Sequence, residues 1–226
     1  MGEVRASVFV ADLEVPVLDA YDRHHLERSL RLRSGDEIMV GDGAGRRRRA
    51  RLGPTLEPTG DIEEVPAPRP PVAVAFAPGK RDRPEWAVQK LTELGADRIV
   101  LFTAERSVVR WEGERARSHV QRLRRIAREA AMQCRRAWLP ELEEVTTFAE
   151  VAARSGTILA SPDGAPPSLD AGLVLVGPEG GWSERELAAD LPRVGLGAHV
   201  LRTETAAVAA GALLAGLRAG LVGPAR

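Results

Sequence analysis

The sequence predicts an α/β fold in which a small β-rich domain precedes a larger one built on a mainly parallel sheet. Three observations predict it. After residue 71, short apolar runs alternate with longer stretches of helical periodicity, the pattern of parallel strands joined by crossover helices. Before that point the runs are short and strand-like, with one brief helical stretch. Between the two, EEVPAPRPP (63–71) places four prolines in nine positions. Proline fixes φ and donates no ladder hydrogen bond, so this stretch reads as a linker. The domains are accordingly set at 1–71 and 72–226.

In the first domain, strands are expected at Val4–Val10, Glu37–Val40 and Arg47–Leu52. Gly41-Asp42-Gly43-Ala44-Gly45 turns the second of these back on the third as a hairpin. His24–Leu32 reads as a short helix with Leu26 and Leu30 on one face. In the second domain, VAVAFAP (72–78), Arg98–Phe102, Thr157–Ala160, Leu173–Val176 and His199–Leu201 read as strands. Helices are expected at Arg83–Leu94, closed by Gly95, then at Glu114–Arg136, Ser183–Leu191 and Thr205–Leu217. Ligands of such sheets sit in loops beyond the carboxyl ends of the strands. Three segments belong there: Ser161-Pro162-Asp163-Gly164, the loop after Leu173–Val176, and the turn at Leu201-Arg202-Thr203.

The chain has 226 residues, 44% of them hydrophobic and 28% charged, enough to fill a core and remain soluble. No run approaches the roughly 20 apolar residues of a membrane span, and MGEVRASVFV lacks the features of a signal peptide. A cytoplasmic location is expected. Cys134 is the single cysteine, which excludes an internal disulfide and a cysteine-based zinc cluster. The 32 basic and 32 acidic residues cancel, yet the basic ones are concentrated. Residues 106–136 hold ten Arg against three Glu, and Arg46-Arg47-Arg48-Arg49 forms a second cluster. Two basic zones on a neutral chain suggest a polyanionic partner, although an arginine-rich composition or a solvated helix face gives the same count.

The most informative stretch is LVGPEGGWSERE (175–186). A buried strand runs into Gly177-Pro178-Glu179-Gly180-Gly181, and Ser183 stands three residues before Glu186, the spacing of a capping box. The loop is not a P-loop, because no Lys follows its glycines. Nor is it the dinucleotide fingerprint, because glycines at 177, 180 and 181 break the spacing. His24, His25, His119 and His199 are scattered, so no metal is expected, and no Gly-x-Ser-x-Gly elbow occurs.

GPEGGWSERE is followed by LRTETA (201–206) and preceded by HHLERSLRLRSGD (24–36), KRDRPEWAVQKLTELGA (80–96), ERSVVR (105–110) and REAAMQC (128–134). Together these segments resemble the bacterial small-subunit (16S) ribosomal RNA uridine-N3 methyltransferases of the SPOUT superfamily. The resemblance spans about residues 24 to 206. It implies a trefoil-knotted α/β methyltransferase domain behind a PUA-like β-barrel, with S-adenosylmethionine as methyl donor. It also implies a homodimer acting on small-subunit ribosomal RNA or the assembled small subunit. The Ala/Gly-rich helix VAAGALLAGLRAG (208–220) would pack closely, against the partner subunit. The rival readings are a non-catalytic RNA-binding or ribosome-assembly protein and a nucleotide-binding α/β enzyme.

On this reading the glycine loop lies against the adenosine of the donor, where glycines let backbone groups approach without a Cβ. The donor would be held by Ser161, Leu175, Val176, Gly177, Glu179, Gly180 and Gly181 on one side. Leu196, Gly197, Leu201, Thr203, Thr205 and Ala206 would hold it on the other. Arg202 is the candidate for stabilising the anion left when uridine loses its N3 proton, since a guanidinium keeps its charge and offers fixed donors. Glu204, Glu129 and Glu179 are carboxylates available as a base, or equally as structural groups; Glu129 and Gln133, four apart on one helix face, could read a base edge together. Arg46, Arg47, Arg48, Arg49, Arg106, Arg110, Arg124, Arg125 and Arg128 fit phosphate contacts, which give register and affinity rather than base choice. Trp111, beside Arg110, is a candidate for stacking on a base.

Overall fold

The computed structural model describes residues 4–223. Residues 1–3, the start of the N-terminal segment considered above, and residues 224–226 lie outside the described residues. The chain divides into two compact units, Met1–Ala67 with Arg128–Leu139, and Pro68–Ala127 with Pro140–Arg226. The division falls inside the proline-rich stretch, and residues 128–139 are counted with the first unit rather than with 72–226. Packing is the reason. Ala131 and Met132 join the core of Val8, Leu26, Ile38 and Val40, and the Trp138 indole N–H donates to the Val65 carbonyl at 2.8 Å.

The first unit is a five-stranded sheet ordered β1 (Ser7–Phe9), β2 (Glu37–Gly41), β3 (Arg46–Arg51), β4 (Glu57–Pro58), with β5 (Glu63–Glu64) also pairing with β3. β2 and β3 form the expected antiparallel hairpin, from Glu37 opposite Arg51 to Gly41 opposite Arg47. β1 runs parallel to β2, so the chain crosses over between them through α1 (Ala20–His24). The Asp19 side chain opens that helix by accepting from the Asp22 N–H at 2.7 Å. It continues as a π-helical turn, His25–Ser29, so the helix begins earlier than the sequence pattern placed it.

The second unit holds a parallel seven-stranded sheet in the order β12 (Arg193–Val194), β10 (Thr157–Ala165), β11 (Leu173–Val176), β6 (Ala73–Phe76), β7 (Arg98–Thr103), β8 (Glu141–Leu142). β9 (Thr146–Thr147) pairs with β7. The central strands are apolar at every position because both faces are covered. Val74, Phe76, Ile99, Leu101, Val174 and Val176 face one core. Ala73, Ala75, Val100, Phe102, Leu173 and Leu175 face the other.

The helices follow from small residues and caps. α2 (Arg83–Leu94) has proline in its first turn and ends at Gly95, whose φ of 95° suits glycine and whose N–H reaches the carbonyls of Leu91 and Thr92. α3 (Gly113–Gln133) buries Ala116, Val120, Leu123 and Ala127 at alternating spacings of four and three, which leaves its arginines on the other faces. α4 (Phe148–Ala152) is opened by a capping box of Thr147 and Glu150. α6 (Thr203–Arg218) lies close to α2: a Cβ on Gly211 would stand 2.5 Å from Leu91 Cδ2. Its buried face, Ala206, Ala207, Ala210, Gly211 and Leu214, therefore packs within the same chain, a use for its small residues that the sequence reading assigned to a partner.

Two expected elements differ. His199–Leu201 forms no strand, and β12 supplies the edge instead. The apolar residues of 196–201 line a cavity rather than a ladder. The helix expected over Ser183–Leu191 is one turn, α5 (Glu184–Leu187).

Candidate functional site

From β6 the chain moves one way to β7 and β8, then returns to build β10 and β11 on the other side. The boundary between β6 and β11 is thus the switch point of the sheet, where open parallel sheets bind ligands. The loop before α2 and the glycine loop leave from these two strands. Beside them, at the carboxyl ends of β10 and β11, lies a cavity of about 270 Å³.

Ala160, Ser161 and Pro162 contribute from β10, and Val176 through Glu179, with Gly181 and Trp182, from the glycine loop. Leu196, Gly197 and the 199–201 turn close another side, and Thr203 and Ala206 come from α6. Of the residues expected to hold a cofactor, Ser161, Val176, Gly177, Glu179, Gly181, Leu196, Gly197, Leu201, Thr203 and Ala206 are brought together here. Leu175 is not among them, because strand alternation sends it into the opposite core. Gly180 packs against Arg106, and Thr205 is exposed on α6. Ala160, Pro162, Pro178, Trp182, His199 and Val200 line the cavity although the sequence reading left them out. Pro178 and Trp182 stand inside the GPEGGWSERE motif and Pro162 in the 161–164 segment, whereas Ala160, His199 and Val200 had only their position near strand ends as a signal.

The loop's glycines serve the protein's own packing as much as an incoming ligand. A Cβ on Gly177 would stand 2.9 Å from the Trp182 ring, and one on Gly180 3.1 Å from Arg106. Gly181 has φ +70° with open space around it, so there backbone conformation is what favours glycine. The Trp182 indole N–H donates to the Ala160 carbonyl at 3.0 Å, and its ring stacks on Phe102 at 6.1 Å and 6°. Arg106 donates to the carbonyls of Trp182 at 3.1 Å and Gly180 at 3.4 Å. The capping box forms as expected, Ser183 Oγ accepting from the Glu186 N–H at 3.2 Å and Glu186 Oε2 from the Ser183 N–H at 2.8 Å. Glu186 Oε1 accepts from the Glu105 N–H at 2.8 Å, tying the loop after β7 to the glycine loop. Thr203 Oγ1 donates to the Gly177 carbonyl at 2.9 Å, tying it to α6.

Among the described lining residues of the cavity there is no lysine or arginine, and Glu179 and His199 are the titratable ones. At the mouth, Ser161 donates to Asp163, which also pairs with Arg193 at 2.8 Å. The Ser161 hydrogen bond first, then a backbone N–H and Arg193, hold the Asp163 carboxyl below its ordinary range.

Arg202 occupies the N-cap position of α6 and is exposed, next to the cavity residues Leu201 and Thr203. Glu204, in the first turn, is mostly buried, and its Oε1 lies 3.6 Å from Arg83 Nε. Glu129 and Gln133 are counted with the first unit, where Glu129 accepts from the Tyr21 hydroxyl at 2.9 Å. Several candidate RNA contacts carry structural partners. Arg128 makes two hydrogen bonds to Asp22, at 2.9 and 2.5 Å, and one to the Phe9 carbonyl. Arg124 donates to the Leu142 carbonyl and pairs with Glu144, and Arg110 donates to the Glu105 carbonyl. Arg47, Arg48 and Arg49 pair with Glu63, Glu14 and Glu37, whereas Arg46 and Arg125 are exposed. Trp111 is buried and stacked on His119 at 4.2 Å, so its ring already packs inside the protein.

The fold and the cavity define a parallel α/β unit with a ligand-sized site beside its switch point, preceded in the chain by a small β unit, and sequence comparison makes the class specific. The RNA methyltransferase domain family matches residues 66–215, and the RNA methyltransferase PUA domain family matches residues 18–54. The chain belongs to the RNA methyltransferase family, with the mixed α/β SPOUT fold and PUA-like N-terminal part that its motifs implied. Among its relatives is the ribosomal RNA small subunit methyltransferase E of Mycobacterium bovis, 36% identical over 222 residues, covering 87% of this chain and 84% of the relative. The protein of the same description from Bacillus subtilis is 31% identical, covering 81% and 82%. A crystal structure of a ribosomal RNA small subunit methyltransferase E from Neisseria gonorrhoeae, bound to S-adenosyl methionine, superposes with a TM-score of 0.79. It is 27% identical and covers 94% of this chain and 97% of that one.

Proposed function

We propose that this chain transfers a methyl group from S-adenosylmethionine to N3 of a uridine in small-subunit ribosomal RNA, working as a homodimer. One observation carries the donor assignment beyond family membership. The cavity offers backbone groups, apolar walls and a carboxylate, with no lysine or arginine among its described lining residues. A neutral nucleoside joined to a cationic amino-acid portion suits that surface. A triphosphate suits it less, because its charge calls for lysines or arginines among the lining residues. The names of the relatives support ribosomal RNA as substrate, and the Neisseria structure supports the donor.

When bound, the donor supplies a methyl group already activated on a sulfonium, so the protein's tasks are positioning and charge. Val176, Leu196, Leu201 and Ala206 give the cavity apolar walls that would exclude water around a bound nucleoside. Uridine N3 becomes nucleophilic on losing its proton, which spreads negative charge onto the flanking carbonyl oxygens. Arg202, exposed at the cavity rim, is the group we assign to that charge. Glu204 is the carboxylate nearest to it in the chain and our candidate for proton acceptor, while Glu129 and Gln133 are available to read a base edge. Phosphate contacts fall first to exposed arginines with no carboxylate partner among the described residues, Arg46 and Arg125.

Calorimetry with S-adenosylmethionine and with ATP tests the donor, and methyl transfer to a small subunit lacking the modification, followed by nucleoside analysis, tests the product. Donor binding and appearance of 3-methyluridine are the expected results. ATP binding without donor binding would overturn the assignment, and a different methylated nucleoside would overturn the target.

A further inference from the structure

Glu179 and Glu204 come from two different walls of the cavity, the glycine loop and the first turn of α6. Both meet one cation, Arg83, the first residue of α2. Arg83 Nη1 pairs with Glu179 Oε1, and Arg83 Nε lies 3.6 Å from Glu204 Oε1. The other Glu204 oxygen, Oε2, is buried and has no hydrogen-bond partner among the described residues. A carboxylate buried in that way is costly unless a counter-charge stands close by.

We propose that Arg83 is a positioning residue for the cavity, its guanidinium bridging Glu179 and Glu204 so that the glycine loop and α6 stand at the separation methyl-donor binding requires. The inference rests on the donor reading above. The bridge spans the sheet's switch point: α2 follows β6 and the glycine loop follows β11. On the α6 side it runs parallel to the Thr203–Gly177 hydrogen bond, so two links fix the same pair of walls. The two differ in kind. The hydroxyl link joins loop to helix directly, whereas the charged one passes through a third element and keeps a buried carboxylate neutralised. Lysine would keep the charge but could not present the Nε–H and an Nη–H to two carboxylates in fixed geometry.

The test is a double-mutant cycle read by binding, so no catalytic role of Glu204 enters it. Calorimetry with S-adenosylhomocysteine is run on the wild type, Arg83→Gln, Glu204→Gln, the double variant and Arg83→Lys, each with its thermal unfolding midpoint. Arg83→Gln is expected to weaken binding about tenfold, within the range of couplings between contacting groups. Glu204→Gln alone should weaken binding to a similar extent, and added to Arg83→Gln it should cost little more, because either change breaks the same bridge. Arg83→Lys should bind between wild type and Arg83→Gln. Equal binding by wild type and Arg83→Gln would overturn the proposal, and so would losses from Arg83→Gln and Glu204→Gln that simply add in the double variant. If Arg83→Gln does not fold, the comparison moves to Arg83→Lys with and without Glu204→Gln, and absence of coupling there overturns it equally. A wild type that does not bind would instead overturn the donor reading.

Discussion

The glycine loop of the second unit and the arginine strand of the first are each rich in one residue type, and they dispose of their polar groups in opposite ways. In the loop, the glycines turn Cα hydrogens toward Trp182 and Arg106, and the backbone is held by Arg106 and Thr203 while the lining faces a cavity. In β3, side chains do the work. Arg47, Arg48 and Arg49 each take a carboxylate from a separate part of the first unit, Glu63, Glu14 and Glu37, and Arg48 also donates to the Gly60 and Leu13 carbonyls. A run of like charge in sequence is thus dispersed into local pairs. The cavity carries no lysine or arginine among its described lining residues, so its polar groups are not taken up in such pairs.

The largest expected effect sharpens this contrast at Arg128. Asp22 is 1% exposed, and Arg128 meets both its carboxylate oxygens while its guanidinium lies 6.0 Å from the Phe9 ring centre. Breaking a buried pair strands the remaining charge. Arg128→Ala should therefore destabilise the protein by about 3 kcal/mol or more. A urea titration measures it. A loss below about 1 kcal/mol, the worth of an exposed pair, would return Arg128 to the pool of RNA-binding candidates.

That pair also shows what could be read from sequence and what could not. The capping box at Ser183 and Glu186, the hairpin at Gly41–Gly45, and α2 with its Gly95 stop all depend on neighbours in the chain, and they stand where their spacing placed them. Ten of the residues expected around a cofactor share one cavity, because the ends of adjacent parallel strands converge. Asp22 and Arg128 lie 106 positions apart, and nothing in either local sequence announces the other. The same holds for Trp182, whose stacking on Phe102 makes it part of the loop's foundation. His199–Leu201 read as a strand because alternating apolar residues serve a cavity wall as well as a ladder.

Next in size is Arg202. If it meets charge that forms as the uridine proton leaves, its contribution belongs to the transition state. Arg202→Ala should lower turnover about a hundredfold, as for a lost oxyanion donor, while donor binding changes much less. Arg202→Lys should recover part of the rate. Single-turnover methyl transfer beside calorimetry separates the two quantities, and near-normal turnover in Arg202→Ala would remove the role. A smaller effect follows at the loop itself. Gly177→Ala places a methyl 2.9 Å from the Trp182 ring, overpacking that costs about 1–2 kcal/mol. The displaced indole should change tryptophan emission before any ligand is added. An unchanged spectrum with wild-type stability would show that the loop glycines are not there for Trp182.

The smallest expected effect tests the arginine strand directly. Among its four consecutive arginines, Arg46 is exposed, whereas Arg48 is largely covered and bound to Glu14 and two carbonyls. A phosphate contact releases counterions, so each one adds about 0.7–0.9 to the slope of log affinity against log salt. A guanidinium already engaged by carboxylate and carbonyl groups has little left to offer a phosphate. Arg46→Ala should therefore reduce the salt slope of binding to a ribosomal RNA fragment by close to one and leave the unfolding midpoint in place. Arg48→Ala should do the reverse, lowering stability with the slope intact, because it removes three partners inside the first unit. Filter binding at four salt concentrations and a thermal melt of each variant give both quantities. Equal slopes for Arg46→Ala and the wild type would assign the whole strand to the fold of the first unit and move the search for phosphate contacts to Arg125 on α3.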